Sequence, residues 1–161
     1  MSIQVGDALP EATLISITPT GPAPLATRDL FSGKKVLLFG VPGAFTGVCT
    51  RQHMPGYVQE HDAIKAKGVD TVACLAVNDP EVLAAWSKET GAEGKILMLS
   101  DWNADYVKKL GLDFDGSKFG LGTRSRRFSA IIDNGVLKAL SVEDTPLQVT
   151  SSGAAATLSQ L

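Results

Sequence analysis

Val36-Leu37-Leu38-Phe39-Gly40-Val41 runs into Pro42-Gly43-Ala44-Phe45-Thr46-Gly47-Val48-Cys49-Thr50, joining an unbroken apolar stretch of strand length to a punctuated turn and then to a polar helical pattern. A strand apolar on both faces is buried on both faces, which is the reading of a parallel α/β sheet. The turn delivers a thiol to the place where a strand hands over to a helix. Unpaired backbone N–H groups and the positive end of the macrodipole at a helix start favour thiolate over thiol, so Cys49 reads as a chemical residue rather than a packing one. Thr46 lies three residues earlier in a glycine-flanked turn, its hydroxyl expected to turn back toward the sulfur, and Pro42 stiffens the entry.

Working outward, Leu14-Ile15-Ser16-Ile17 has β character, and Pro19, Gly21, Pro22 and Pro24 force a turn or loop, giving an N-terminal hairpin. Thr27 to Phe31 makes one helical turn before Gly33. From Val48 to Lys67 the pattern predicts the helix that carries the thiol; Pro55 inside it removes one N–H and predicts a kink near Arg51. Thr71 to Val77 is a second apolar strand, Asp79-Pro80 opens a helix to about Thr90, and Ile96 to Leu99 is a third strand. Trp102 to Leu110 reads as a short helix closed by Gly111, and Asp113 to Gly122 as a loop. Asn134-Gly135 between Phe128–Ile132 and Val136–Leu140 signals a type I′ hairpin. Gly153 to Leu161 is a terminal helix, with Ser151 or Ser152 as its cap. By pattern alone the class is α/β, in one domain spanning residues 1–161.

The chain has 161 residues, 44% hydrophobic and 20% charged, enough for one substantial core. A net charge of -2 offers no basic field for phosphates, so nucleic acid is not expected as a partner. No apolar run approaches the ~20 residues that span a bilayer, so no membrane association is expected. Residues 1–7 carry neither a basic nor an apolar leader region, and two distant cysteines make no disulfide scaffold. A reducing compartment is expected: the cytoplasm, or an organelle interior such as the mitochondrion.

The spacing Pro42-x-x-x-Thr46-x-x-Cys49 resembles the active-site motif of the peroxiredoxins, and the longer string Pro42 to Tyr57 resembles the type II, or peroxiredoxin-5-like, group. Val77-Asn78-Asp79-Pro80, Leu110-Gly111-Leu112, Arg124-Ser125-Arg126-Arg127-Phe128-Ser129 and Val136-Leu137-Lys138-Ala139 extend the match over essentially the whole chain. The resemblance implies a thioredoxin-like fold with an N-terminal β-hairpin extension and a central mixed sheet flanked by helices. It implies a thiol-dependent peroxidase reducing hydrogen peroxide and small alkyl hydroperoxides through a Cys49 sulfenic acid, with no cofactor and no metal. Pro42, Thr46, Cys49 and Arg127 are the implied catalytic residues, and Thr46, Gly47, Cys49 and Arg127 the substrate contacts. Arg127 is preferred to Arg124 and Arg126 by its position in the motif alone. Relatives often carry Pro-Thr where Gly47-Val48 stand, so a more flexible loop is expected here.

Ionisation cannot be the whole of such catalysis. A free thiol with pKa ~8.5 is a few per cent thiolate at pH 7, so full ionisation gains at most ~30-fold, and nucleophilicity falls with pKa. The rest must come from orienting the O–O bond and stabilising the leaving oxygen. Some relatives place a resolving cysteine where Thr150-Ser151 stand; here it is absent, and Cys74 in Val72-Ala73-Cys74-Leu75-Ala76 reads as a buried strand residue. An external thiol is then needed, glutathione with glutaredoxin or else thioredoxin, and a noncovalent homodimer is implied. Cys49 and His53 at i,i+4 lack the further ligands of a metal site, and His53 and His61 lack an acyl-transfer motif; His53 is expected to pack or cap locally. Trp86 and Trp102 read as core or interface. The rival classes are a peroxide sensor or redox relay that passes oxidation to a partner protein, and a binding module with an inert cysteine.

Overall fold

The computed structural model describes residues 2–161. In chain order the elements are β1 (Thr13–Thr18), β2 (Gly21–Ala26), α1 (Thr27–Phe31), β3 (Lys35–Val41), a π-helical turn (Cys49–His53) running into α2 (Met54–Ala66), and β4 (Thr71–Ala76). There follow α3 (Pro80–Glu89), β5 (Leu97–Ser100), α4 (Asp105–Leu110), β6 (Asp113–Asp115), β7 (Thr123–Ser125), β8 (Phe128–Asp133), β9 (Val136–Val142) and α5 (Ala154–Leu158).

Seven strands form one mixed sheet in the order β2-β1-β5-β4-β3-β8-β9. β3, β4 and β5 run parallel, and the flanking pairs are antiparallel. Alternation along β3 explains why it is apolar throughout. Leu37, Phe39 and Val41 face a core shared with Met54, Tyr57 and Ile64 of α2, Leu83 and Trp86 of α3 and Ala154 of α5. Val36 and Leu38 face a second core with Leu30 and Phe31 of α1 and Tyr106, Val107 and Leu110 of α4. Each of the larger side chains stabilises the fold by about 1.5–3 kcal/mol through burial. Asn134 and Gly135, with φ of 49° and 80°, make the expected tight hairpin turn between β8 and β9.

Several expectations are corrected. Pro22 and Pro24, read as turn residues, lie in β2 opposite Ile17 and Ile15; β2 is the sheet edge, where a missing N–H costs no ladder bond. Pro55 produces not a simple kink but a π-helical turn, in which the Met54 N–H reaches the Cys49 carbonyl. α4 starts at Asp105 rather than Trp102, because Ala104 has a φ of 62° and the Asp101 carboxylate caps the N–H groups of Tyr106 (3.0 Å) and Val107 (2.8 Å). Trp102 is 62% exposed and is not a core residue, whereas Trp86 is fully buried. The stretch read as a loop contains β6, a 3₁₀ turn at Ser117–Phe119, and a pairing with β7. Neither Ser151 nor Ser152 caps α5: Gly153 takes that position, and the Ser152 hydroxyl is drawn to the Glu143 carboxylate at 2.5 Å.

Candidate active site

Where β3 ends, residues 42–48 turn across the start of the π-helical segment, buried at Pro42, Gly43 and Ala44 and half-exposed at Thr46, Gly47 and Val48. Long-range bonds hold this loop. The Ala44 N–H donates to Asn78 Oδ1 (2.9 Å), and Arg124 Nη1 donates to the Pro42 carbonyl (3.2 Å). The Thr46 hydroxyl donates to the Gly43 carbonyl at 2.6 Å rather than to the sulfur, leaving its lone pairs free to accept. Trp86 Nε1 donates to Thr50 Oγ1 (3.0 Å), tying α3 to the residue after the cysteine. A Cβ added at Gly47 would lie 2.5 Å from Arg51 Nη2, the far end of an exposed, flexible side chain that can move aside.

Cys49 has no exposed surface. Pairing of β3 with β8 sets Gly40 opposite Phe128, which brings Arg127 to the end of β3 where the loop begins. Arg127 is 2% exposed, and its Nη2 donates to Cys49 Sγ at 3.0 Å. Nε and Nη2 both donate to the Pro146 carbonyl (3.2 and 3.0 Å), and Nη1 donates to His53 Nδ1 (2.9 Å). Four of its five N–H groups are thus engaged, and one Nη1 hydrogen remains uncommitted among the described residues. A guanidinium bond to sulfur is charge-assisted when the sulfur is a thiolate.

His53, on the same helical turn, is fully buried, and its Nε2 lies 3.0 Å from the Ser152 carbonyl. Burial first, and then the neighbouring Arg127, push its pKa down to about 3, against weaker opposing contributions from the Ser152 carbonyl and Glu143. Tyr57 OH donates to the same carbonyl at 2.6 Å, and its ring stacks on Phe39 at 4.0 Å. The Ser152 N–H and hydroxyl, and likewise those of Thr150, bind the buried Glu143 carboxylate. Burial pushes that carboxyl up, but the four hydrogen bonds outweigh it and leave its pKa lowered.

The structure therefore brings Pro42, Thr46, Gly47, Cys49 and Arg127 into one locus, with Arg124 bonded to the loop backbone at the Pro42 carbonyl. Cys74 is buried on the same face of the sheet, and burial, followed by the neighbouring Cys49, raises its thiol pKa well above the ordinary range. No group of three potential metal ligands occurs among the described residues, and the pair Cys49 and His53 is occupied by Arg127. Sequence reasoning missed Asn78, Glu143 and Ser152; only the first lay in a quoted motif. No helix among the described residues is long and apolar enough to cross a membrane.

Residues 4–158 match the Redoxin family model. The chain is 44% identical over 147 residues to the chloroplastic Peroxiredoxin-2E of Arabidopsis thaliana, and 45% identical over 133 residues to the mitochondrial Peroxiredoxin-2F of the same plant. These matches cover 89% and 83% of the chain, and 63% and 66% of those relatives, so the chain spans just under two thirds of their length. The crystal structure of reduced Prx3 from Vibrio vulnificus in complex with hydrogen peroxide superposes with a TM-score of 0.92 at 46% identity, covering 98% of each chain. The thioredoxin-like architecture expected from the resemblance is the one observed.

Proposed function

The chain belongs to the type II peroxiredoxins, a family of thiol-dependent peroxidases, and from that premise we propose that Cys49 is its peroxidatic residue and hydrogen peroxide and small alkyl hydroperoxides are its substrates. The Cys49 thiolate attacks the nearer peroxide oxygen; the S–O bond forms as the O–O bond breaks, and the leaving oxygen departs as water or alcohol after taking a proton, leaving a sulfenic acid. The observation that carries this reading is the buried Arg127 guanidinium, 3.0 Å from Sγ with an Nη1 hydrogen to spare. One group can hold the sulfur and donate to the oxygen on which charge develops. Thr46 at the half-exposed lip accepts from the incoming hydroperoxide, the loop N–H at Gly47 lines its path, and Pro42, pinned through its carbonyl by Arg124, fixes the loop. The peroxide-bound Vibrio relative, close in sequence and shape, supports the substrate assignment.

Cys74, enclosed in β4 with a protonated thiol, is unsuited to resolve the sulfenic acid, so two equivalents of an external thiol restore Cys49: one forms a mixed disulfide and releases water, the second displaces the cysteine. Glutathione with glutaredoxin is the proposed source, thioredoxin the alternative, within the cytoplasm or an organelle interior. A noncovalent homodimer is proposed through the active-site loops, where Phe45 and Leu147 stand 52% and 67% exposed on the segments that flank the cysteine and its arginine. Single-turnover stopped-flow reaction with hydrogen peroxide tests the site: Cys49→Ser abolishes the reaction, and Arg127→Ala slows it by roughly 10²- to 10³-fold. A wild-type protein no faster than a free thiol overturns the reading.

A further inference from the structure

Arg127 carries no acceptor, so a ring nitrogen within hydrogen-bond distance of its Nη1 has to supply the lone pair. His53 Nδ1, at 2.9 Å, is therefore unprotonated. The neutral ring then carries its hydrogen on Nε2, which faces the Ser152 carbonyl at 3.0 Å and donates to it. That carbonyl is held in place independently: it also accepts from Tyr57 OH at 2.6 Å, while the N–H and hydroxyl of the same residue are anchored on Glu143. The backbone N–H of Glu143 in turn donates to the Arg127 carbonyl at 2.9 Å, closing a ring of contacts around the arginine.

We infer that His53 is a positioning residue: a neutral acceptor, its tautomer set by the Ser152 carbonyl, that orients the Arg127 guanidinium so that Nη2 meets the Cys49 sulfur and the spare Nη1 hydrogen faces the peroxide. The inference rests on the proposed role of Arg127. Without His53 the guanidinium is still anchored at Pro146 but is free to swing about that carbonyl, and its second nitrogen loses its fixed direction. The C-terminal turn 150–153 thereby acts on the reacting centre through a chain of buried hydrogen bonds, although none of its residues touches the sulfur.

Three measurements test this together. First, long-range ¹H–¹⁵N correlation of the reduced wild-type protein should show His53 with unprotonated Nδ1 and protonated Nε2, unchanged from pH 8 to pH 5; a ring that is Nδ1-protonated or doubly protonated overturns the inference without any variant having to fold. Second, His53→Leu keeps an apolar body but no acceptor and should slow the single-turnover peroxide reaction roughly 10- to 100-fold. His53→Asn places an amide oxygen near the Nδ1 position while losing the Nε2 bond, and should recover most of that rate. Equal rates in the two variants mean that packing alone matters, which overturns the inference. Third, Arg127→Ala separates the two readings: if it reacts as fast as wild type, the role of Arg127 fails, whereas if it is slow and His53→Leu is not, the positioning role alone fails. In the Arg127→Ala background, His53→Leu should produce no further loss of rate.

Discussion

The guanidinium of Arg127 performs three jobs from one planar fork: Nη2 on the sulfur, Nη1 on His53, and a shared grip on the Pro146 carbonyl. A lysine ammonium is a point charge on a flexible stem and cannot span these partners, so conserving the charge does not conserve the geometry. Arg127→Lys is expected to react with peroxide about a hundredfold or more below wild type, close to Arg127→Ala, as read by stopped flow. Cys49 stood out in the sequence because the reading of it as a chemical residue rests on a local feature, the hand-over from strand to helix. Arg127 could be ranked above Arg124 and Arg126 only by its place in a motif; the physical reason, the pairing of Gly40 with Phe128, is a contact between distant segments. Asn78 appeared only within a motif and Ser152 only as a candidate helix cap, and Glu143 gave no signal for the same reason: a buried carboxylate binding a turn looks, in sequence, like any acidic residue.

Between elements, the closest fit is at the β3–β8 pair that sets the arginine against the cysteine. A Cβ added at Gly40 would lie 2.1 Å from Phe128 Cε1 and 2.8 Å from Ser125 Oγ, both on buried side chains with nowhere to move. Gly40→Ala is expected to cost about 3 kcal/mol by overpacking, seen as a lower denaturation midpoint, and to slow peroxide reduction as well, because Phe128 cannot shift without Arg127. The parallel strands and the closing hairpin followed from hydrophobic runs and from Asn134-Gly135, whereas the order of the seven strands, set by pairings between distant segments, did not. What sequence could not resolve were boundaries decided by single contacts: the left-handed Ala104 that delays α4, and the π-helical turn that absorbs Pro55. The β6–β7 pair is three residues on each side, too short for any periodicity to register.

At the scale of the whole molecule, buried titratable groups give stability a pH dependence of defined sign. The His53 pKa is depressed to about 3 in the fold from an ordinary 6.5, so between these values the unfolded chain binds the extra proton. Its contribution is complete above about pH 6.5 and falls on acidification by up to about 1.4 kcal/mol per pH unit. Glu143, also lowered, contributes above the ordinary carboxylate pKa and loses that contribution as pH falls through its folded value. Asp101, raised by burial, opposes it in the carboxylate range. Between pH 7 and pH 5 His53 dominates, and urea unfolding should show about 2 kcal/mol less stability at pH 5, a difference that His53→Asn removes.

Burial of Arg127 ties the redox cycle of the protein to its resistance to heat. A cation enclosed in the fold leans on a counter-charge, and in the proposed cycle a Cys49 thiolate supplies one; its conversion to a neutral sulfenic acid withdraws that charge and leaves the guanidinium with carbonyl and imidazole partners only. A sulfinate, the next step of oxidation, is again an anion and restores the pair. Calorimetry of the three forms should therefore find a melting temperature that drops at the sulfenic stage and recovers on over-oxidation. In the proposed cycle the protein is then least robust in the state that waits for its reductant, and the over-oxidised form is the sturdier molecule.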